Sequence, residues 1–227
     1  MLTREITDIL WASNGRGWVL EPEAKRIFSL VGLEVPRLVW ATKIEEALRF
    51  AKEIGYPVVG KIVSPEVLHK SDRGGVVVGI KGDKELAETF ERFSRMEGFA
   101  GILVEERVWG TELIVGSKVD DQFGPIILLG MGGTGVEIYR DVSLRMAPLT
   151  PRDIENMIQC LKAHQLLEGY RGSEPVHRPK LMELLKTFSS LVMELEKIIE
   201  SIDLNPVICS SQRCVIADAR IILNKVD

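Results

Sequence analysis

The order of hydrophobic patterns along the chain constrains the fold more than any other feature of the sequence. Segments with the 3.6-residue period of an amphipathic helix alternate with short apolar runs typical of strands. The helical segments are 23–31, 44–54, 84–96, 153–167 and 181–199. The strand-like runs are 37–41, 57–63, 75–80, 101–106, 111–119, 125–129, 202–208 and 213–223. Because strand–helix–strand stretches are mixed with hairpins, the sequence predicts an α+β (mixed α/β) fold rather than a doubly wound sheet.

Composition excludes several classes of protein. The 227 residues are 45% hydrophobic and 27% charged, which is typical of a globular protein with a buried core. The formal net charge of −4 argues against sequence-independent binding to nucleic acid. No apolar run approaches the length of a membrane span and no signal-peptide pattern is visible, so we expect a cytoplasmic protein. The three cysteines form no CxxC pair, which predicts free thiols.

A glycine-rich segment at 130–135 has the spacing GxGxxG after an apolar run. A dinucleotide-binding fold requires a helix at this point, because the pyrophosphate binds at the amino terminus of that helix. The residues that follow instead alternate with period two, as Val136, Ile138 and Val142 do. This pattern favours a glycine-rich connection into a strand. A P-loop is excluded because GxxxxGK[ST] does not occur.

The segment around Lys61 has the composition of an anion-binding site. Lys61 lies at the end of an apolar strand, where a buried lysine is costly unless it meets an anion. The loop that follows contains further cations, a hydroxyl and paired glycines whose amides can approach an oxyanion. Its candidate residues are His69, Lys70, Ser71, Arg73, Gly74 and Gly75. The pattern suits triphosphate binding without a P-loop, and a solvated turn is the alternative.

Carboxylate and amide side chains are concentrated in the two strands near the carboxyl terminus. A turn near Ser211 would pair the strands so that Asn205 faces Asp218 and Asp203 faces Arg220. Carboxylate and amide oxygens are the ligands that Mg²⁺ prefers. The alternative is an ion pair between Asp203 and Arg220 beside a capping asparagine.

Five motifs in one order resemble the ATP-grasp (β) subunit of ADP-forming acetyl-CoA synthetases, also called NDP-forming acyl-CoA synthetases. Succinyl-CoA synthetase β chains are more distant relatives. The motifs are Lys61 and the segments 69–75, 104–116, 123–137 and 203–220, and the resemblance covers about 22–222. It implies an ATP-grasp fold, in which two α+β subdomains clasp a nucleotide. The smaller subdomain is expected over 22–105 with the phosphate-binding loop, and the larger over 1–21 and 106–227 with the magnesium site.

The resemblance also implies a role for each candidate residue. Lys61 and the loop residues Lys70, Ser71, Arg73, Gly74 and Gly75 are expected to contact the phosphates of ATP or ADP. The nucleoside contacts are expected from Glu105, Arg107, Val108 and Glu112. Asn205 and Asp218 match the Mg²⁺ ligands. Together with Lys61, they are expected to bind one metal–polyphosphate. His69, as a phosphate carrier, and Asp203, near the phosphohistidine docking site, are the expected catalytic residues.

The implied reaction is reversible formation of an acid, CoA and ATP from an acyl-CoA, ADP and phosphate. The family's CoA chemistry belongs to a separate α subunit with its own phosphorylatable histidine, so we expect a heteromer, α2β2 in stoichiometry, with no nucleic-acid or membrane partner. Two other functions stay open on the residues alone. One is a regulatory module that senses ATP and ADP without chemistry, and the other is a stand-alone ATP-grasp ligase that joins a carboxylate to an amine.

Overall fold

The computed structural model describes residues 2–67, 70–133, 141–172 and 174–224. These residues form six α-helices and eleven β-strands. The helices are α1 Arg4–Ser13, α2 Glu21–Leu30, α3 Ile44–Ile54, α4 Asp83–Ser94, α5 Pro151–Cys160 and α6 Arg178–Leu195. The strands are β1 Trp18–Val19, β2 Leu38–Ala41, β3 Val58–Val63, β4 Val76–Ile80, β5 Gly101–Glu106, β6 Thr111–Asp120, β7 Gly124–Met131, β8 Val142–Met146, β9 Ile199–Cys209, β10 Cys214–Ile216 and β11 Arg220–Leu223. The predicted α+β class is confirmed.

The chain folds into two compact units. The larger unit combines Met1–Val35 with Trp109–Asp227, and the smaller unit is Pro36–Val108. The smaller subdomain was expected to begin at residue 22, whereas the smaller compact unit begins at Pro36 and residues 22–35 belong to the larger unit. The reason is packing: Ala24, Ile27 and Phe28 of α2 are fully buried in the larger unit's core. Hydrophobic periodicity predicts the helix but does not indicate which sheet the helix covers.

The smaller unit is a four-stranded antiparallel sheet in the order β2-β5-β3-β4, and α3 and α4 cover one of its faces. The apolar side chains buried there are Ala47, Ala51, Val58, Ile62, Leu86, Phe93, Ile102 and Val104. Successive strand residues point to opposite faces. Lys61 of β3 and Glu105 of β5 therefore lie on the face opposite to the two helices.

The larger unit contains a seven-stranded sheet in the order β1-β11-β9-β6-β7-β8, with β10 paired to β9. One face of this sheet buries apolar side chains against α1, α2, α5 and α6 in a single core. The strand residues in that core are Val19, Leu113, Val115, Ile127, Leu129, Met131, Ile199, Ile202, Leu204, Val207, Cys209, Cys214, Ile216, Ile221 and Leu223. By alternation, Asp203 and Arg220 lie on the face away from the core.

Several elements differ from the expectations. The predicted helix over 153–167 ends at Cys160 and is followed by a separate 3-10 turn, His164–Glu168. The buried Asp141 carboxylate accepts hydrogen bonds from the backbone of Lys162 (2.7 Å) and Ala163 (2.8 Å), which satisfies the amides where the helix stops. The segment before the first predicted helix contains a further helix, α1, whose N-cap is Thr3.

The three cysteines are free thiols, as expected. Cys209 and Cys214 are buried directly opposite each other in the β9–β10 hairpin. A hydrogen bond with the Cys214 thiol, together with burial, raises the pKa of Cys209 far above its usual range. The Cys209 thiol is therefore neutral and unreactive near pH 7. Among the helices of the described residues, none combines the length and the hydropathy that a bilayer crossing requires.

Candidate active site

The hairpin formed by β9, β10 and β11 has the register predicted from the sequence. Cys214 pairs with Cys209 on one side of the hairpin's centre, and Arg220 pairs with Asp203 on the other. Three residues separate the two paired regions on each strand, so Asn205 lies opposite Asp218. Both residues are accessible, since Asn205 is exposed and Asp218 is partly exposed. The structure thus brings together the two predicted magnesium ligands.

A β-bulge in β9 sets the direction of Asn205. Leu113 of β6 pairs with Val207, whereas Val115 pairs with Leu204, so a single β6 residue faces both Asn205 and Pro206. Proline lacks the N–H that a ladder position would donate, which suits Pro206 to such a break. The bulge leaves two consecutive residues outside the core and exposes the Asn205 amide.

Backbone hydrogen bonds hold the segment between β10 and β11, which lies opposite the bulge. The amides of Ala217 and Asp218 both donate to the Pro206 carbonyl, at 3.0 and 3.3 Å. These bonds lie between β10 and β11, where the predicted continuous strand over 213–223 is interrupted. The interruption and the bulge therefore meet at the same point, beside Asn205. Irregular ladders of this kind are common next to functional sites.

The ion pair between Asp203 and Arg220, which the sequence left as an alternative, is present next to Asn205 and Asp218. Arg220 Nη2 lies 3.1 Å from Asp203 Oδ2, and both side chains are about one third exposed (30% and 38%). The Arg220 guanidinium balances the charge of Asp203. Asn205 and Asp218 occupy the next outward-facing positions along the hairpin, so an amide and a carboxylate lie opposite each other there.

The oxygen groups of Asn205 and Asp218 fit the requirements of Mg²⁺. Magnesium is held by one or two protein oxygens and completes its octahedron with water and phosphate oxygens. Within the described ranges, no group of three or more His, Cys, Asp and Glu side chains has an arrangement able to hold a metal ion. Two oxygen donors are the number that suits a Mg²⁺ ion that also binds phosphate oxygens.

Lys61 and Glu105 form a buried ion pair in the smaller unit. Lys61 is 5% exposed and its Nζ lies 3.2 Å from Glu105 Oε2. Val59 pairs with Glu105 in the β3–β5 ladder, so Glu105 and Lys61 are diagonal neighbours on one face. The sequence assigned Glu105 to base recognition, and the structure adds a contact that the sequence did not predict. Removing either partner would leave a buried charge without its counter-charge, which is strongly destabilising.

The loop after β3 is shaped by its two glycines. A 3-10 turn at Ser71–Arg73 ends in Gly74, which has φ +66°, and the amide of Gly75 donates to the carbonyl of Lys70 at 2.7 Å. A Cβ on Gly75 would lie 2.6 Å from Ile62 Cγ2, so only glycine fits. The loop exposes the Ser71 and Arg73 side chains, and Lys70 is partly exposed. His69 lies outside the described residues.

The remaining nucleoside candidates lie at the end of the smaller unit and at the start of β6. The Arg107 guanidinium packs over Gly79, where a Cβ would lie 2.8 Å from Nη1, and Val108 is partly exposed. Glu112 has an exposed side chain, and its carbonyl accepts a 2.7 Å hydrogen bond from Gly132. Gly132 thus supports the β6 backbone at Glu112, a role that the GxGxxG spacing did not reveal. The rest of that motif, from Thr134, lies outside the described residues.

Comparisons with known proteins give the family of the chain. The ATP-grasp domain family matches residues 11–223. The chain is 42% identical over 230 residues to the β subunit of acetate–CoA ligase (ADP-forming) I from Pyrococcus furiosus, covering 97% of each protein. It is also similar to a chain of Ca. Korarchaeum cryptofilum dinucleotide-forming acetyl-coenzyme A synthetase 1, solved with coenzyme A, Ca-AMPCP and HgCl⁺. That similarity has a TM-score of 0.89 and 43% identity and covers 96% of this chain and 99% of the other.

A second structure of the Korarchaeum enzyme was solved with a bound nucleotide analogue. It contains coenzyme A and Mg-AMPPCP, and its phosphohistidine segment points towards the nucleotide binding site. The similarity has a TM-score of 0.84 and 42% identity, and covers 96% of this chain and 100% of the other.

Proposed function

Because the chain belongs to the ATP-grasp family and, within it, to the β subunits of ADP-forming acetate–CoA ligases, we propose that it is the nucleotide-binding half of such an enzyme. The overall reaction converts an acyl-CoA, ADP and phosphate into the acid, CoA and ATP, and it is reversible. Acetate is the proposed acid, because the 42% identical Pyrococcus relative is an acetate–CoA ligase. The CoA-binding α subunit, with its own phosphohistidine, is the proposed partner in an α2β2 assembly.

The step proposed for this chain is phosphoryl transfer between a histidine and ADP. The N–P bond of the phosphohistidine breaks, and a bond forms between its phosphorus and a β-phosphate oxygen of ADP. The histidine leaves as neutral imidazole when its other ring nitrogen carries a proton. A neutral imidazole nitrogen accepts the phosphoryl group in the reverse direction, since its pKa lies near 7.

The facing pair of Asn205 and Asp218 is the observation that carries the proposal. Their amide and carboxylate oxygens would hold Mg²⁺ on the outer face of the larger sheet. The bound ion supplies positive charge to the phosphate oxygens of the nucleotide. The bulge at Asn205 and the backbone bonds to Pro206 support these two groups before the ligand binds, so little reorganisation is needed.

Lys61 and the loop over 70–75 are the proposed phosphate-binding group of the smaller unit. The buried Lys61 ammonium would contact the phosphates while Glu105 holds its side chain in place. Lys70 and Arg73 would balance the charge of the transferring group, and the Ser71 hydroxyl with the amides of Gly74 and Gly75 would donate to phosphate oxygens. Glu105, Arg107, Val108 and Glu112 remain the proposed contacts to base and ribose.

His69 and Asp203 remain the proposed catalytic residues. His69 belongs to the same loop in sequence and is proposed to carry the phosphoryl group. Asp203 is proposed to lie where the partner's phosphohistidine segment docks. Its pairing with Arg220 places a cation beside it, which suits an incoming phosphorylated histidine.

A double-mutant experiment tests whether both units act on one nucleotide. Lys61→Met and Asp218→Ala are each expected to lower acyl-CoA-dependent ATP formation, measured with the partner subunit, by about 10²- to 10³-fold. The double variant should lose less than the product of the single losses, because both residues act on the same phosphates. Asp121→Ala, at an exposed carboxylate of the β6–β7 turn, is the control. Full activity in either single variant would contradict the assignment.

Labelling with [γ-³²P]ATP separates the proposal from the two other functions. In the presence of the partner, the wild-type chain should yield acid-labile, base-stable phosphohistidine, and His69→Asn should abolish the label on this chain while retaining ADP binding. A sensing module binds Mg-ADP without forming phosphohistidine. A stand-alone ligase would release ADP and phosphate with an amine acceptor and no partner.

A further inference from the structure

The fully buried lysine of α2 is a feature that the proposed function does not use. Lys25 is 0% exposed, and its Nζ lies 2.8 Å from Oε1 of Glu21, one helical turn earlier, whose side chain is 1% exposed. Burying two charges is expensive, even when they are paired. An apolar pair of similar volume is often equally stable at such a position. A buried pair of this kind therefore points to a task beyond stability.

The Lys25 ammonium reaches the backbone beside the metal pair. It donates a 2.6 Å hydrogen bond to the carbonyl of Ala217, the residue before Asp218. The same peptide group, from Ala217 to Asp218, donates its N–H to the Pro206 carbonyl at 3.3 Å. Both polar ends of this peptide are thus bonded, one by α2 and the other by the residue next to Asn205. A planar peptide held at both ends has a defined orientation, and the Asp218 Cα follows it directly.

Two further bonds join the α2 region to this hairpin. The Ile216 amide donates to the Glu34 carbonyl at 2.9 Å, and Arg213 Nη1 lies 3.1 Å from Glu34 Oε1. The gap between β10 and β11 lacks regular ladder bonds. The contacts from α2 and from Glu34 therefore take the place of a neighbouring strand along this segment.

We propose that Lys25, charge-balanced by Glu21, is a positioning residue that orients the Asp218 carboxylate toward Asn205 for metal–nucleotide binding. Lys25 acts through the Ala217–Asp218 peptide and does not touch the metal. This inference rests on the proposed function, because it assumes that Asp218 is a metal ligand. Residues behind metal ligands typically change metal affinity by about 10- to 100-fold when they are replaced.

Binding of Mn²⁺ in the presence of ADP, measured by electron paramagnetic resonance on the full chain, tests the proposal without relying on turnover. Lys25→Met keeps most of the side-chain volume and removes the donor, and it should weaken Mn²⁺ binding about tenfold or more. Glu21→Gln keeps the shape and removes the balancing charge, and it should weaken binding in the same direction. The half-saturating Mg²⁺ concentration for ATP formation with the partner should rise in parallel, whereas the KM for acyl-CoA should change less than twofold.

Two comparison variants make the result decisive. Met157→Ala removes a fully buried side chain of α5 from the same core, so it should lower the melting temperature without weakening Mn²⁺ binding. Asp218→Ala tests the ligand itself. If Asp218→Ala leaves Mn²⁺ affinity unchanged, the proposed metal site fails. If Asp218→Ala weakens binding while Lys25→Met and Glu21→Gln behave like Met157→Ala, only the positioning role is overturned. Should Lys25→Met not fold, Glu21→Gln decides the question alone.

Discussion

Among the described residues, two lysines are buried beside glutamates, and the sequence pointed to only one of them. Lys61 stands out because it interrupts an apolar strand. Lys25 does not stand out, since its neighbours include Glu21, Glu23 and Arg26, as on an ordinary solvated helix face. Only packing shows that the Lys25 side chain is fully enclosed. A charged residue such as Lys61 therefore indicates a function from the sequence only where its neighbours in the chain are apolar.

A glycine substitution tests the shape of the phosphate loop. Gly75→Ala would place a Cβ 2.6 Å from Ile62 Cγ2 and 3.1 Å from the Lys70 carbonyl oxygen, so the β3–β4 connection must shift. We expect a loss of about 1–3 kcal/mol in the free energy of unfolding, measured by urea denaturation, and weaker ADP binding. Gly15→Ala is the matched control, because a Cβ there meets nothing within 4 Å. Equal stability of the two variants would show that the loop does not require glycine.

At the level of elements, the pairing of strands assembles the candidate metal ligands. The β9–β10–β11 register was predictable because a short polar turn joins two apolar runs. The bulge at Asn205 and the gap between β10 and β11 were not predictable, since both depend on pairing with β6 and on contacts from α2. Local pattern thus predicts which residues face each other, and non-local contacts decide how they point.

Helices α3 and α4 of the smaller unit are joined by a pH-sensitive contact. Lys52 of α3 lies 2.7 Å from Asp83, the first residue of α4, and the Tyr56 hydroxyl donates to Asp83 at 2.9 Å. Hydrogen bonding from Lys52, and then from Tyr56, lowers the pKa of the Asp83 carboxyl below its usual value. Burial and the bond to Asp83 raise the pKa of Tyr56 to about 12, so the hydroxyl remains a donor at neutral pH.

The lowered pKa of Asp83 predicts a loss of stability in acid. The folded state holds the Asp83 proton less tightly than the unfolded state, so this contribution is complete above the unfolded pKa of about 3.9. This contribution to stability is lost as the pH falls through the lower pKa that Asp83 has in the folded state. The urea midpoint should therefore decrease less between pH 5 and pH 3 in Asp83→Asn than in the wild type. Asp121→Asn should follow the wild type, and parallel curves for all three proteins would contradict the prediction.

At the scale of the whole molecule, the residues proposed to bind the nucleotide occur in both compact units. Lys61, Glu105 and the loop over 70–75 belong to the smaller unit, and Glu112, Asp203, Asn205 and Asp218 belong to the larger. Each group has its own internal support, from the Lys61–Glu105 pair in one unit and from the Pro206 and Lys25 bonds in the other.

Hydrogen exchange tests whether segments of both units respond to the nucleotide. Addition of Mg-ADP to the free chain should slow amide exchange in the β3–β4 connection and in the Pro206–Arg220 hairpin together, since a ligand that binds only the folded state stabilises the segments it contacts. Amides of α1 should be slowed only by the increase in overall stability. That increase is about 2.7 kcal/mol in the free energy of unfolding when the Mg-ADP concentration is one hundred times its dissociation constant. Protection confined to one unit would show that the nucleotide does not need the other.

The sequence alone determined the fold class, most of the helices and strands, the hairpin register and the family, because each depends on local periodicity or on motifs in a recognisable order. Only the tertiary structure assigned α2 to the larger unit, paired Lys61 with Glu105, and placed Lys25 behind the Ala217–Asp218 peptide. These contacts join residues far apart in the chain, and their energies come from burial and charge pairing that no local pattern records.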